Sequence, residues 1–151
     1  MKRLIVLLTA IGLGVGVASA QDSKFGTAAE ARAMLDKAVA AVKADKENAL
    51  KLFNKGEPGF KDRDLQPFCF DAATGTLLAV THPKLLGGDV RNLKDTAGKE
   101  FGKELFAAAV DGQVSEVVYM FARPGSDLPT KKMSFVTGVE GLGCGVGYFL
   151  D

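Results

Sequence analysis

Apolar residues recur along this chain first with a helical period and then with a period of two. Ala31, Met34, Leu35, Ala38, Val39 and Val42 are spaced as one face of a helix, with Arg32, Asp36, Lys37 and Lys43 opposite. Thr27-Ala28-Ala29-Glu30 has the residue types of a capping box, which starts that helix at Thr27. Asp45 is placed to cap a second, short helix over 46–53, with Ala49, Leu50 and Phe53 inward. Asn54, Gly56, Pro58 and Gly59 end it.

From there the period shortens. A strand is predicted over 65–71, with Gln66, Phe68 and Phe70 facing one way and Leu65, Pro67 and Cys69 the other. Pro67 is awkward in a central strand, so the strand start should be displaced or bulged. Asp71 and Gly75 bracket a turn into a second strand over 76–81, and Pro83 ends that strand because it has no N–H for a ladder. A Gly-punctuated loop then leads to a helix over 99–110, with Phe101, Leu105, Phe106 and Ala109 inward and Gly112 as its stop. Asp71, Asp89 and Asp95 read as turn braces; a calcium site is disfavoured because no D-x-D-x-D-G loop occurs.

Three alternating segments complete the chain, over 114–122, 131–139 and 142–149. In the second of these Met133, Phe135, Thr137 and Val139 alternate with Lys132, Ser134 and Val136. In the last, Gly143, Gly145 and Gly147 share a face, so something approaches that backbone closely. The expectation is the Ala-striped first helix, by small-on-small packing; the alternative is a ligand. The result is an α+β fold: a five-stranded antiparallel sheet with the N-terminal helix on one face and a loop-helix cover on the other.

Charge and composition alter this picture at the N-terminus. Lys2 and Arg3, the apolar run 4–17 and Ala18-Ser19-Ala20 form the three regions of a signal peptide, with cleavage expected after Ala20. The run is short for a bilayer span and carries Gly12, Gly14 and Gly16. A single domain over 21–151 and a periplasmic or secreted location follow. That segment has 17 basic and 18 acidic residues, so no basic footprint for nucleic acid exists.

His82 is the sole histidine, which excludes a multi-imidazole zinc site. There is no nucleophile elbow, P-loop, H-E-x-x-H or dinucleotide fingerprint, and no metal or cofactor is expected. A Cys–His pair using His82 is the one formal catalytic alternative. What is left is a binding space between cover and sheet. Phe68, Phe70, Tyr119, Phe121 and Tyr148 are its candidate walls. His82, Arg91, Arg123, Lys132, Ser134 and the hydroxyls of Tyr119 and Tyr148 are its candidate polar groups. The arginines suit a carboxylate, being planar and bidentate. Each aromatic could equally be ordinary core, each arginine a solvated loop charge, and His82 a brace for its loop.

The ordered string F-x-F-D-x-x-x-G-x-L from Phe68, then His82-Pro83, L-x-G-x-D to Asp89, L-x-D to Asp95 and Gly98-Lys99 resembles the central signature of single Cache domains. The resemblance runs over about 28–149. It implies a PAS-like, profilin-like extracytoplasmic sensor that binds a small organic molecule, such as a carboxylate, and passes its ligand state to a membrane-bound sensor or receptor protein. It also implies a homodimer through the N-terminal helix, against the simpler reading that this helix only packs on the sheet. In such a sheet the first and last strands are neighbours. Cys69 and Cys144 are then either a cross-strand disulfide or two buried apolar residues. A ligand-free structural module and an enzyme with a non-obvious site are the alternatives in function.

Overall fold

The computed structural model describes residues 23–150; the signal peptide expected over 1–20 lies outside them. Helix α1 (Ala28–Ala44) begins with the expected capping box at Thr27 and Glu30. Helix α2 (Lys46–Lys55) is capped by Asp45 and ends at Gly56 in the left-handed conformation. The strands are β1 (Pro67–Asp71), β2 (Leu77–Ala79), β3 (Ser115–Ala122), β4 (Pro129–Val139) and β5 (Leu142–Phe149). They form one antiparallel sheet in the order β2-β1-β5-β4-β3.

Each face of the sheet carries its own core. On one, Ala31, Leu35, Ala38 and Val42 of α1 and Phe53 of α2 pack on Cys69, Cys144 and Val146. The apolar stripe of α1 is therefore taken up by the sheet. On the other face, the chain between β2 and β3 lies as a roof. It contains two 3₁₀ turns, Pro83–Leu85 and Val90–Asn92, and helix α3 (Phe101–Ala107). Val90, Phe101 and Leu105 of the roof meet Phe70, Val117, Tyr119 and Val136 of the sheet.

Cys69 and Cys144 stand directly opposite each other on β1 and β5, 4.2 Å apart at Cα, and are joined by a disulfide. Pro67 opens β1, where its missing N–H interrupts no ladder, and the irregularity falls between Cys69 and Phe70 against β2.

Three local expectations are corrected. Strand β2 is shorter than 76–81: beyond Ala79 the side chain of Asn54 takes over, donating to Leu78 O at 2.8 Å and accepting from Val80 N at 3.2 Å. This also covers the sheet edge. Helix α3 stops at Ala107 rather than Val110, and Gly112 lies in the turn beyond it. The chain is drawn off to the sheet there, since the carbonyl of Val110 accepts from Gly138 N at 3.1 Å. Finally, Gly143, Gly145 and Gly147 do not face α1. A Cβ on Gly143 would strike the ring of Phe70, one on Gly145 the ring of Phe68, and one on Gly147 would sit 2.6 Å from Ser134 Oγ. The glycines make room for large side chains on the roof side.

The roof depends on another close approach. Gly102 of α3 donates to Leu93 O at 3.1 Å, and its Cα lies against the carbonyl of Val90. A methyl here would overlap backbone, which cannot yield as a side-chain tip can. Gly102→Ala is expected to destabilise the fold by about 3 kcal/mol, read as a lowered urea midpoint with an unchanged slope.

Candidate functional site

Between roof and sheet is a cavity to which all five strands contribute. Phe68, Leu77, Tyr119, Phe121, Lys132 and Gly147 line it from the sheet, with Gln66 just before β1 and Val80 and Thr81 just after β2. Leu85, Val90, Leu93, Phe101 and Leu105 close it from the roof. The cavity has a volume of about 50 Å³. That is room for a few waters or a molecule of a few heavy atoms.

The lining is mostly apolar, and this gives its polar members weight. Tyr119 lies flat on Phe101, ring centroids 4.1 Å apart, and its hydroxyl pairs with Ser134 Oγ at 2.8 Å. Burial pushes the Tyr119 phenol up to about 12. Lys132 is only 8% exposed. Its ammonium sits 4.8 Å from the centre of the Phe149 ring and 5.2 Å from that of Phe121. Among the described residues no oxygen accepts a hydrogen bond from it and no carboxylate pairs with it. Burial holds the Lys132 ammonium down to about 8, opposed only by the more distant charge of Asp64. At neutral pH it remains a cation, held against two ring faces with the charge of Asp64 farther off.

The pH dependence follows from these two groups. Below pH 8 the folded, unliganded protein carries the full cost of the buried ammonium. Between pH 8 and the ordinary lysine value of 10.5 the folded state releases that proton while the unfolded chain keeps it, so stability rises. Tyr119 acts oppositely, since above pH 10 the unfolded chain ionises first and stability falls. A melting temperature that climbs from pH 8 to 10 and then drops is expected, with the climb absent from Lys132→Met.

The sequence model of the Cache domain (dCache_2) matches residues 31–150. This chain belongs to the Cache domain family. Its fold is shared by three solved structures. A methyl-accepting chemotaxis protein from Vibrio parahaemolyticus superposes with a TM-score of 0.66 at 19% identity, covering 82% of this chain and 88% of that one. A periplasmic sensor domain of a chemotaxis protein gives 0.60 at 23%, covering 80% and 88%. A Cache chemosensory domain, solved for the structural basis of its carboxylic acid recognition, gives 0.55 at 22%, covering 79% and 85%. Among curated proteins nothing matches.

In this Cache domain the residues singled out from the sequence are only partly gathered. Phe68, Tyr119 and Phe121 line the cavity. Phe70 is fully buried beneath it, against Phe106. Ser134 is fully buried behind Tyr119. His82 stands outside with its ring edge-on to Phe121 at 5.2 Å and Nδ1 3.1 Å from Thr81 Oγ1. Burial, then the charge of Lys132, lowers its pKa.

The others lie elsewhere. Tyr148 is on the helix face, stacked on Phe135, because it alternates with Gly147. Arg91 is engaged by Asp89 at 2.6 Å, donates to Thr74 O at 2.8 Å and covers Phe106, so it buttresses the β1–β2 turn. Arg123 lies over Phe25 and Phe149 at the sheet edge. Gln66, which alternation marks only as a strand residue, borders the cavity and is pinned by its bond to Phe53 O at 2.7 Å. Among the described residues no group of His, Cys, Asp and Glu could hold a metal, and no helix is long and apolar enough to cross a membrane.

Proposed function

We propose that this Cache domain is an extracytoplasmic sensor that takes a small organic carboxylate between roof and sheet, with Lys132 as its counter-charge. One observation carries the reading: a lysine only 8% exposed, its ammonium with no acceptor among the described residues, at the edge of a mostly apolar cavity. Such a cation is costly until an anion joins it. The solved Cache domain that recognises a carboxylic acid supports the choice of ligand class. Roof and sheet residues both border the site, so a guest bridges them and stabilises the layered arrangement. The role is binding, not catalysis.

The signal peptide over 1–20 would deliver a domain of residues 21–151 to the periplasm, where a membrane-bound receptor reads its ligand state. A homodimer through α1 would use the polar side of that helix, around Arg32 and Asp36, because its apolar side is on the sheet.

The test is calorimetric titration with acetate, propionate, butyrate and hexanoate at pH 7. Binding confined to the shorter acids is expected, since the cavity is small. Binding also requires the protonated lysine, so affinity should fall about tenfold per pH unit above pH 8. No heat with any acid at millimolar concentration would refute the reading.

A further inference from the structure

Four side chains stand between the cavity and an apolar groove of about 500 Å³ on the outer side of the roof. Leu85, Leu93, Phe101 and Phe121 border both spaces. Whatever crosses that wall must displace one of them. Three are fixed. Phe101 lies flat on Tyr119 within α3, ring centroids 4.1 Å apart. The backbone of Leu93 donates to Val90 O and accepts from Gly102 N, both at 3.1 Å. Phe121 is on β3, in register with Thr130 of β4.

Leu85 differs because its segment, 81–86, is tied to the sheet only at its two ends. Upstream, Val80 N donates to Asn54 Oδ1 at 3.2 Å. Downstream, Gly87 N donates to Leu77 O at 2.9 Å and Gly88 O accepts from Leu77 N at 2.8 Å. Between these anchors the backbone bonds are local: Leu85 N to His82 O at 2.9 Å, Leu86 N to Pro83 O at 3.2 Å and Gly88 N to Leu85 O at 3.0 Å. Among the described residues no backbone group of 81–86 bonds to the sheet or to the roof beyond Gly88. His82, Pro83, Lys84 and Leu86 are exposed. Two side chains hold the segment down: Leu85 packs on the roof-side core, and the His82 ring meets Phe121 edge-on at 5.2 Å. Gly87 has φ +80° with no atom within 4 Å of where a Cβ would stand, so this end turns without collision. The rest of the roof is stitched down, by Val90 N on Gly75 O at 2.8 Å, Arg91 on Thr74 O at 2.8 Å and Met120 N on Asp95 Oδ2 at 3.1 Å. Lifting it there breaks hydrogen bonds.

We propose that residues 81–86 are the flap through which the cavity fills, turning about Thr81 and Gly87 with Leu85 as its plug and His82 as its latch. Opening joins the cavity to the outer groove and costs two side-chain contacts but no backbone hydrogen bond to the sheet. The 3₁₀ turn Pro83–Leu85 keeps its own bonds and moves as one piece. The inference takes from the binding reading only that the cavity admits a guest, whatever the guest is. Leu85 and His82 then set how fast a guest enters and leaves.

A thiol inside the cavity tests this with no ligand present. Cys69 and Cys144 are bridged, so Leu105→Cys, under the roof, adds the one free thiol among the described residues. Its rate of modification by methyl methanethiosulfonate is followed in the full domain at pH 7 with increasing urea; Val90→Cys is the second reporter should Leu105→Cys fail to fold. At low urea the rate should be nearly independent of urea, as for a local opening. His82→Ala, outside the cavity lining, should raise it about fivefold, the effect of losing one ring contact. Leu85→Ala should raise it about tenfold or more. Arg91→Ala, which frees the other side of the roof, should leave it within about twofold. A rate that climbs with urea in parallel with global unfolding, from the lowest concentrations, would overturn the inference. So would a rate unchanged by His82→Ala. Neither result bears on carboxylate binding, which the titration with acetate to hexanoate decides separately.

Discussion

Lys132→Met should raise the thermal midpoint of the unliganded protein by about 10 °C at pH 7 and abolish its affinity for propionate. Burial holds the ammonium at about 8 instead of 10.5, which corresponds to roughly 3 kcal/mol of unfavourable solvation carried by the folded state. Methionine keeps the unbranched stem that packs against Gly147 and drops the charge. For a domain of this size that energy is worth about 10 °C. A variant both more stable and unable to bind is the mark of a functional group kept at a structural cost. A less stable variant would show that the ammonium has a structural partner, and a variant that still binds propionate would remove Lys132 from the site.

Replacing both cysteines, Cys69→Ala with Cys144→Ala, should cost about 4 kcal/mol. The bridge closes a loop with a sequence separation of 75 residues, and cross-linking a loop of that length restricts the unfolded chain by about this much. Both residues are fully buried in the core beneath α1. The bridge also pins β1 to β5, strands that hairpin closure alone would not bring together, since β5 lies at the far end of the chain. A denaturant midpoint lowered accordingly, with the fold retained at low temperature, is expected. A loss below 1 kcal/mol would mean that the unfolded chain is already held compact.

Local signals in this chain were readable because each rests on side chains a few residues apart. The Thr27–Glu30 box, the Asp45 cap and the Asp71–Gly75 turn needed no tertiary information, and all three form. The roof was legible because Pro83 forbids continuation of the second strand. What alternation cannot tell is which face of a strand looks where. Alternation groups Gly143, Gly145 and Gly147 on one face, but that face is the roof side and not the side of α1. The pairing of Phe68 with Gly145 and of Phe70 with Gly143 explains it, since each ring needs the space that its opposite residue vacates. Tyr148 then had to lie on the opposite face from Gly147.

The cavity's cation was visible in outline. Lys132 alternates with Ser134 and Val136, an apolar-facing register in which a lysine has no ordinary place. Arg91 and Arg123 were more conspicuous candidates on chemistry, yet Arg91 is held by Asp89 and Arg123 lies over two rings at the edge. Their positions depend on loop conformation, which residue spacing does not encode.

The most direct test is a crystal structure of the protein grown with propionate. Density for a carboxylate within hydrogen-bonding distance of Lys132 Nζ, under the roof formed by Leu85, Leu93 and Phe101, is predicted. A roof collapsed onto the sheet with no guest, or a carboxylate bound elsewhere while Lys132 stays between its two rings, would contradict the account.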